Sequence, residues 1–365
     1  MTVPVEIQVI QFVGFVLSVT FHVILLFFIY TRATKQFGSY KILMASFSIF
    51  SICYALVEIL TQPIMHISGT GLMLYVGDPL STISVDVGYY LADFILKMFR
   101  ISKSQTSELL VIKNIPVSAL YCSSFGLCVL FLSAHFFYRY TAVCSPRLLR
   151  MLDGRKIFRL FVPIFLLGTI MFLDICWFGE PSEFKMEYLR ASLKQEYNED
   201  IRRVGHISAV FYTTESSGTV RIFWKDCAGV AIVWTILFFS ISTIIYFAVK
   251  TFKTVYQHTK RRKSKKDCEI HRQLFHTLVI QSLIPTVIMF IPTGFLLSLP
   301  FFDVKHVGRV ANAPGFGASI YPALDALVAI FMIKDFRHAL FCHRPKIRRV
   351  RVSSVPDTMF THLHS

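Results

Sequence analysis

The residues best suited to chemistry in this 365-residue chain are a few ionisable groups inside or at the ends of long apolar runs. Arg139 ends one run between two tyrosines, Tyr138 and Tyr140, and His135 precedes it by one helical turn. An arginine is costly at the centre of a bilayer. It therefore either anchors a helix at the lipid–water boundary or forms several hydrogen bonds with neighbouring helices or a protein partner. His135 is either a buried structural histidine or part of the same group.

No set of residues supports catalysis. The eight cysteines show no metal-ligand spacing and no CxxC pair, and most lie in apolar runs, where cysteine acts as a small hydrophobe. The chain has no glycine-rich phosphate loop or hydrolase triad, and no apolar run has a central lysine for a retinal Schiff base. We therefore expect no enzyme activity, no metal and no cofactor. Cys122 and Cys227 are candidates for a disulfide, although Cys122 lies about 25 Å along its helix from Arg139, which places it within the hydrocarbon.

Composition indicates that these groups sit in a polytopic membrane protein. The chain is 54% hydrophobic and 16% charged, with a mean hydropathy of +0.56, whereas soluble domains carry about a quarter charged residues. A membrane-crossing helix needs about 20 apolar residues. Segments of that length cover residues 9–31, 42–65, 116–138, 158–178, 227–249, 276–299 and 314–333. The sequence predicts an all-α membrane protein, a bundle of seven transmembrane helices in residues 1–333 with a tail in residues 334–365.

Lysine and arginine predict the orientation. The formal net charge of +16 falls in the loops after the first, third and fifth spans and in the tail, whereas most acidic residues fall in the other loops. Because basic loops stay in the cytoplasm, we expect the N-terminus outside and the C-terminus inside. The basic run at residues 260–266 then faces the anionic inner leaflet, and its charge does not require nucleic acid as a partner. That run either fixes the topology or docks a protein.

With this orientation, depth separates the acidic residues of the spans. Glu58 lies about 24 Å from the inner end of its helix, Asp174 lies at a similar height, and Asp325 lies about 12 Å from its inner end. We therefore expect Glu58 and Asp325 not to touch, with Asp325 accepting hydrogen bonds in the inner half. Glu58, Asp174, Tyr121 and Gln281 are the candidate ligand pocket. Alternatively, Asp174 only reaches the outer interface.

Prolines interrupt two spans. Pro285 and Pro292 lie in the sixth and Pro322 in the seventh, and each removes a backbone hydrogen bond. Together with Asp325, these prolines are the candidate hinge, or else static kinks.

Four shorter segments are also predicted. Residues 182–203 have the apolar spacing of an amphipathic helix that lies over the bundle or on the membrane. Residues 207–213 form a short strand, and residues 334–341 form an amphipathic helix along the inner leaflet, followed by Cys342 as a palmitoylation candidate. Residues 83–99 carry Asp86, Asp93 and Lys97, so we expect a loop helix there and not a span.

Short motifs along nearly the whole chain carry a family resemblance. They are Phe37-Gly38-Ser39-Tyr40, Gln62-Pro63 with His66, His135-Phe136-Phe137-Tyr138-Arg139-Tyr140, Gln273-Leu274-Phe275, Gln281 with Ile284-Pro285, Ile291-Pro292, Tyr321-Pro322-Ala323-Leu324-Asp325 and Ile333-Lys334-Asp335-Phe336-Arg337. With these motifs the chain resembles the nematode seven-helix serpentine chemoreceptors, and among them the Str class, which includes olfactory receptors. It departs from the family in Asp325-Ala326, where the family often has Asp-Pro, and in a long loop at residues 66–115.

The resemblance implies a G-protein-coupled receptor for a small odorant or pheromone, in the plasma membrane of sensory neurons and on their cilia. Its implied partners are a heterotrimeric G protein and membrane lipids. Tyr138-Arg139-Tyr140 is similar to the Asp-Arg-Tyr motif of rhodopsin-like receptors but lacks the acid, which implies a less restrained arginine. Ligand binding would shift an existing equilibrium, the sixth helix would move at Pro285 or Pro292, and Arg139 would receive the G protein.

Other classes of protein also fit a seven-span chain. A ligand-gated channel of the insect odorant type has a cytoplasmic N-terminus, opposite to the orientation that the charges predict. A transporter would show inverted repeats, which the sequence does not display. A receptor-like scaffold without a ligand is a third alternative.

Overall fold

Seven long helices follow the apolar runs of the sequence. The structure, a computed structural model, describes residues 5–33, 37–76, 107–203, 205–215, 217–260, 265–304 and 307–341. Within these residues, seven stretches are long and apolar enough to cross a membrane, which confirms the predicted bundle. The helices are α1 (Val5–Arg32), α2 (Tyr40–Thr61), α3 (Ser107–Cys144), α4 (Pro146–Leu152), α5 (Phe161–Phe178), α6 (Glu183–Tyr197), α7 (Trp224–Lys260), α8 (Lys265–Pro285), α9 (Ile291–Ser298), α10 (Ala313–Met332) and α11 (Lys334–Leu340).

The second span is shorter than predicted. We expected it to cover residues 42–65, but α2 ends at Thr61. Gln62 caps it in a left-handed conformation with φ of 40°, and its N–H bonds the carbonyl of Glu58. Pro63 follows directly and begins a strand.

A three-stranded antiparallel sheet covers one end of the bundle and adds to the predicted all-α architecture. Its order is β1 (Pro63–Ser68), β2 (Gly71–Val76) and β3 (His206–Val210). Gly69 in the β1–β2 turn has φ of +57°, which glycine adopts without strain. A small hairpin of β4 (Tyr212–Thr214) and β5 (Val220–Ile222) follows, so the strand expected at residues 207–213 is present in two pieces. We call this end of the bundle the sheet end and the opposite end, near Arg139, the arginine end.

The predicted amphipathic helix packs on this sheet. It was expected over residues 182–203 and is observed as α6, with a short 3-10 turn at Ile201–Arg203 after it. Leu189 and Leu193 of α6 are fully buried against β1 and β2. The sheet and α6 therefore form one layer across the sheet end.

Aromatic rings fill the bundle around α3, which packs against α2, α5, α7 and α8. Phe131 of α3 stacks on Phe50 of α2 with 4.9 Å between ring centroids, and Phe47 contacts the same ring. Because lipid is as apolar as these rings, close packing and not exclusion from water holds such contacts together.

The sixth span contains a π-helix between its two prolines. α8 ends at Pro285, the π-helix covers Thr286–Phe290, and Pro292 lies in the first turn of α9. π-helical turns are rare and often occur at functional sites. The widened turn meets α10 at Gly317, where a Cβ would collide with the carbonyl oxygen of Ile288.

At the arginine end, α11 docks through Phe336. This ring is fully buried and stacks on Phe28 and Phe37 at 6.0 and 5.9 Å between centroids. The helix matches the one predicted at residues 334–341. The predicted loop helix at residues 83–99, Cys342 and residues 261–264 of the basic run lie outside the described residues.

Candidate ligand cavity and buried arginine site

The sheet end contains a cavity of about 230 Å³. The third to seventh spans form its walls, and β1, β2 and β3 close it on the sheet side. Its lining is mostly apolar and includes five aromatic side chains, which are Tyr121, Phe125, Phe178, Phe211 and Trp234. A concave apolar space with few polar groups is typical of a small-molecule site.

Three lining residues carry charged or amide groups, and two of these are satisfied. Asn312 accepts a hydrogen bond from the β1 backbone at 2.8 Å and donates one to the Tyr197 hydroxyl at 3.0 Å. Asp226 forms an ion pair with Lys185. Asp174 differs, because it is 7% exposed and its Oδ1 has no hydrogen-bond partner in the described part of the chain. Among the described lining residues, Asp174 is therefore the uncompensated acidic group.

The Lys185–Asp226 ion pair joins the sheet layer to the bundle. Lys185 Nζ lies 2.8 Å from Asp226 Oδ1, and the two side chains are 8% and 2% exposed. The ammonium also donates to three backbone carbonyls, those of Phe178 at 3.3 Å, Glu180 at 3.1 Å and Ser208 at 3.0 Å. Asp226 Oδ2 accepts the N–H of Val210 at 2.8 Å. Both charges are thus satisfied, as a buried pair requires.

This ion pair was not predicted, although the sequence contains one signal of it. Lys185 lies four and eight residues before Leu189 and Leu193, so it belongs to the apolar face of the predicted amphipathic helix. A lysine on such a face needs a buried partner. The sequence does not show that this partner is Asp226, because the two residues come from different elements.

The four predicted pocket residues divide into two pairs. Tyr121 and Asp174 line the cavity, whereas Glu58 and Gln281 do not. Glu58 is 2% exposed between α2 and α10, where its Oε1 accepts a hydrogen bond from Ser319 Oγ at 2.5 Å. Glu58 therefore ties two helices together and does not face the cavity.

The candidate disulfide between Cys122 and Cys227 is absent, since both thiols are free. Cys122 faces the cavity from α3. Cys227 lies in the first turn of α7, and its sulfur points to the Phe211 carbonyl at 3.8 Å. The two side chains have different surroundings, so the expected bridge does not form.

Arg139 is buried inside the bundle with 2% exposure. Its guanidinium carbon lies 3.6 Å from the ring centroid of Tyr40, which is a cation–π contact. The Tyr40 hydroxyl lies 3.1 Å from His135 Nδ1, and Tyr138 stacks on Tyr40 at 5.5 Å. The guanidinium Nε and Nη2 have no hydrogen-bond partner among the described residues. Arg139 is therefore not an exposed anchor, and it contacts the neighbouring helix through the Tyr40 ring and not through the several hydrogen bonds that were expected.

The residues around Arg139 also touch the fifth and sixth spans. Tyr140 packs on Phe247 of α7 with 4.9 Å between ring centroids. Phe136 meets Phe275 of α8 edge to face at 6.4 Å. A displacement of α7 or α8 would therefore change the packing next to Arg139.

Residues 37–40, at the start of α2, contact three parts of the arginine end. Phe37 stacks on α11, as described above, and Tyr40 lies against Arg139. Ser39 Oγ donates to Asp153 Oδ1 at 2.7 Å and accepts the N–H of Gly154 at 2.8 Å. The Ser39 hydrogen bond lowers the pKa of the Asp153 carboxyl. In the sequence this segment is only a landmark of the family resemblance, and its contacts were not predicted.

Two of the candidate hinge residues, Pro322 and Asp325, lie on α10, which packs against α8. Asp325 is 1% exposed, and neither of its carboxylate oxygens has a hydrogen-bond partner within the described residues. Gln281 Nε2 instead donates to the backbone carbonyl of Asp325 at 3.2 Å. Pro322 lies one turn earlier, beside His22 of α1. The side chain expected to accept hydrogen bonds beside the kink is thus buried without one.

Comparison with known proteins supports the same architecture. A family profile described as "Serpentine type 7TM GPCR chemoreceptor Str" matches residues 7–341. Serpentine receptor class r-10 of Caenorhabditis elegans is 31% identical over 341 residues, which cover 90% of this chain and 88% of the relative. G-protein coupled receptor str-33 of the same organism is 23% identical, with coverage of 87% and 84%.

A solved structure shows the same fold. Squid rhodopsin superimposes with a TM-score of 0.53 at 12% identity, covering 94% of this chain and 82% of that one. The family is one of seven-span membrane receptors and not of enzymes. The chain belongs to the Str family of serpentine seven-transmembrane chemoreceptors.

Proposed function

We propose that this chain is a chemosensory G-protein-coupled receptor whose cavity at the sheet end binds a small odorant or pheromone and whose arginine end activates a heterotrimeric G protein. The observation that carries the proposal is the pairing of an apolar cavity at one end with a buried, stacked arginine at the other. The relative named as a G-protein coupled receptor supports the coupling step.

The arginine end is the cytoplasmic end in this proposal. Exposed basic side chains crowd it, on α4 and on the 3-10 turn that follows, and these are Arg147, Arg150, Arg155, Lys156 and Arg159. Basic residues stay on the cytoplasmic side and meet anionic lipid there. The sheet end then faces the outside, as sensing of an external molecule requires. The receptor resides in the plasma membrane, on the cilium of a sensory neuron.

The described conformation is the resting one in this proposal. Arg139 is covered by Tyr40, so its guanidinium cannot meet a partner protein until that contact opens. A ligand that favours the open packing shifts the equilibrium by its difference in affinity for the two packings. The π-helix between Pro285 and Pro292 is the element that allows the inner half of the sixth span to move against α3.

The experiment measures nucleotide exchange on a G protein by the full chain in membranes. Arg139→Ala should abolish ligand-driven exchange while surface expression stays normal. Tyr40→Leu should raise exchange without ligand, because it removes the ring that holds the guanidinium. A buried cation–π contact is worth about 2 kcal/mol, which corresponds to roughly a 30-fold shift in the equilibrium.

Tyr40→Phe is the matched control. It keeps the ring over Arg139 and removes only the hydroxyl next to His135. Its basal exchange should stay well below that of Tyr40→Leu. Unchanged output from Arg139→Ala at normal surface levels would refute the coupling role.

A tag on the N-terminus tests the competing class. A tag that antibodies reach on intact cells agrees with the receptor orientation, whereas one reached only after permeabilisation favours the ligand-gated channel.

A further inference from the structure

The acidic groups that line the cavity differ in whether they have a partner, and this difference indicates one class of ligand. Among the described residues two carboxylates line the cavity, but Asp226 is neutralised by Lys185, and of the two only Asp174 retains an unpartnered oxygen. The remaining wall is apolar and aromatic. An unpaired carboxylate in such surroundings is unfavourable until a cation or a strong hydrogen-bond donor reaches it.

We propose that the cavity selects a compact protonated amine, with Asp174 as the counter-ion of the ammonium group. The inference rests on the proposed function, because it treats this cavity as the ligand site.

The aromatic wall suits the same class. Trp234, Tyr121 and Phe178 line the cavity together with Asp174. Faces of aromatic rings attract cations, tryptophan most strongly, and they also pack against an apolar body. Ser208 adds a buried hydroxyl without a partner in the described residues, which can accept a further N–H. A molecule with one ammonium group and an apolar body satisfies all of these groups.

Size limits the class to small molecules. A cavity of about 150 Å³ holds benzene in a protein interior, and this one measures about 230 Å³. A single ring with a short aminoalkyl arm therefore fits this volume, whereas a folded peptide is too large. Benzylamine is a suitable probe, and benzyl alcohol and toluene match its shape without its charge.

The experiment measures binding of these probes to the purified full-length receptor, with no G protein present. Benzylamine should bind roughly tenfold to a hundredfold more tightly than benzyl alcohol, as expected for a hydrogen bond to a charged group. Asp174→Asn keeps the shape and removes the charge, so it should abolish this preference. The ligand-free variant should melt at the same temperature as the wild type or higher, because an uncompensated buried charge is gone.

Glu187→Gln is the matched control. It removes one carboxylate from α6 at a site where the side chain is 71% exposed and 3.6 Å from Arg190. It should leave the preference for benzylamine intact. Equal affinity for benzylamine and benzyl alcohol in the wild type overturns the inference, as does a preference that survives in Asp174→Asn. If that variant does not fold, the wild-type comparison alone decides.

Failure of the inference is distinct from failure of the proposed function. If the receptor binds amines but does not drive nucleotide exchange, the proposed G-protein coupling is contradicted and the proposed amine site is still supported. If neutral molecules drive nucleotide exchange and amines are not preferred, the proposed amine site is overturned and the proposed receptor function is still supported.

Discussion

Replacing Lys185 with methionine tests the ion pair that joins the sheet layer to the bundle. The substitution leaves the Asp226 carboxylate buried with one donor, the N–H of Val210. Breaking a buried pair from one side costs about 3–5 kcal/mol. Asp226→Asn should cost less, about 1.5–3 kcal/mol, because the ammonium keeps three carbonyl acceptors and the amide oxygen can still accept from Val210.

The assay is reversible unfolding of the purified receptor in detergent, with variants ranked by free energy of unfolding. Glu180→Gln is the control, since it breaks the exposed pair with Lys225, whose charged atoms lie 3.8 Å apart. Exposed pairs contribute less than about 1 kcal/mol. The double variant Lys185→Met with Asp226→Leu should recover part of the loss, because neither charge is then left alone. A Lys185→Met variant as stable as Glu180→Gln would refute the account of the buried pair.

Three further outcomes follow from single contacts. Gly317→Ala should lower the free energy of unfolding by about 1–3 kcal/mol, because the new methyl group collides with the Ile288 carbonyl. Gly294→Ala is the control, since its methyl group enters open space and should be neutral or slightly stabilising. Thermal unfolding of the two variants measures the difference. Burial lowers the pKa of His66 from about 6.5 to about 4. Between about pH 4 and about pH 6.5, the unfolded chain therefore binds more protons than the folded chain. Stability should therefore be full above pH 6.5 and fall by about 2 kcal/mol on acidification to pH 5, and His66→Gln should flatten this dependence. Phe336→Ala should release α11, seen as faster amide exchange in that helix alone, and unchanged exchange would contradict the stacking role.

The seven spans could be predicted because each is a local property of the sequence. About 20 apolar residues in a row suffice to cross a membrane, whatever the rest of the chain does. The end of the second span was missed because Ile64 and Met65 are apolar, and apolarity alone does not separate a buried strand from a helix. The sheet depends on pairing of Gly71 with Val210, which are distant in the sequence and share no local pattern.

The site could be predicted only in part, for a related reason. Position along a helix gives height, and the predicted height of Asp174 agrees with its position in the cavity wall. Height does not give the direction in which a side chain points, because each residue turns a helix by about 100°. Glu58 lies at a similar height but points to α10. Tyr40 is missing from the predicted site because its contact with Arg139 depends on how α2 packs against α3.

Ionic and hydrogen-bonded contacts hold the sheet layer over the cavity, and the six cysteines whose side chains the structure describes all carry free thiols. Within the described residues, folding of the sheet layer therefore does not depend on an oxidising compartment. Reducing agents such as thiols should leave this cover intact during extraction from the membrane, and the buried charges are screened little by added salt.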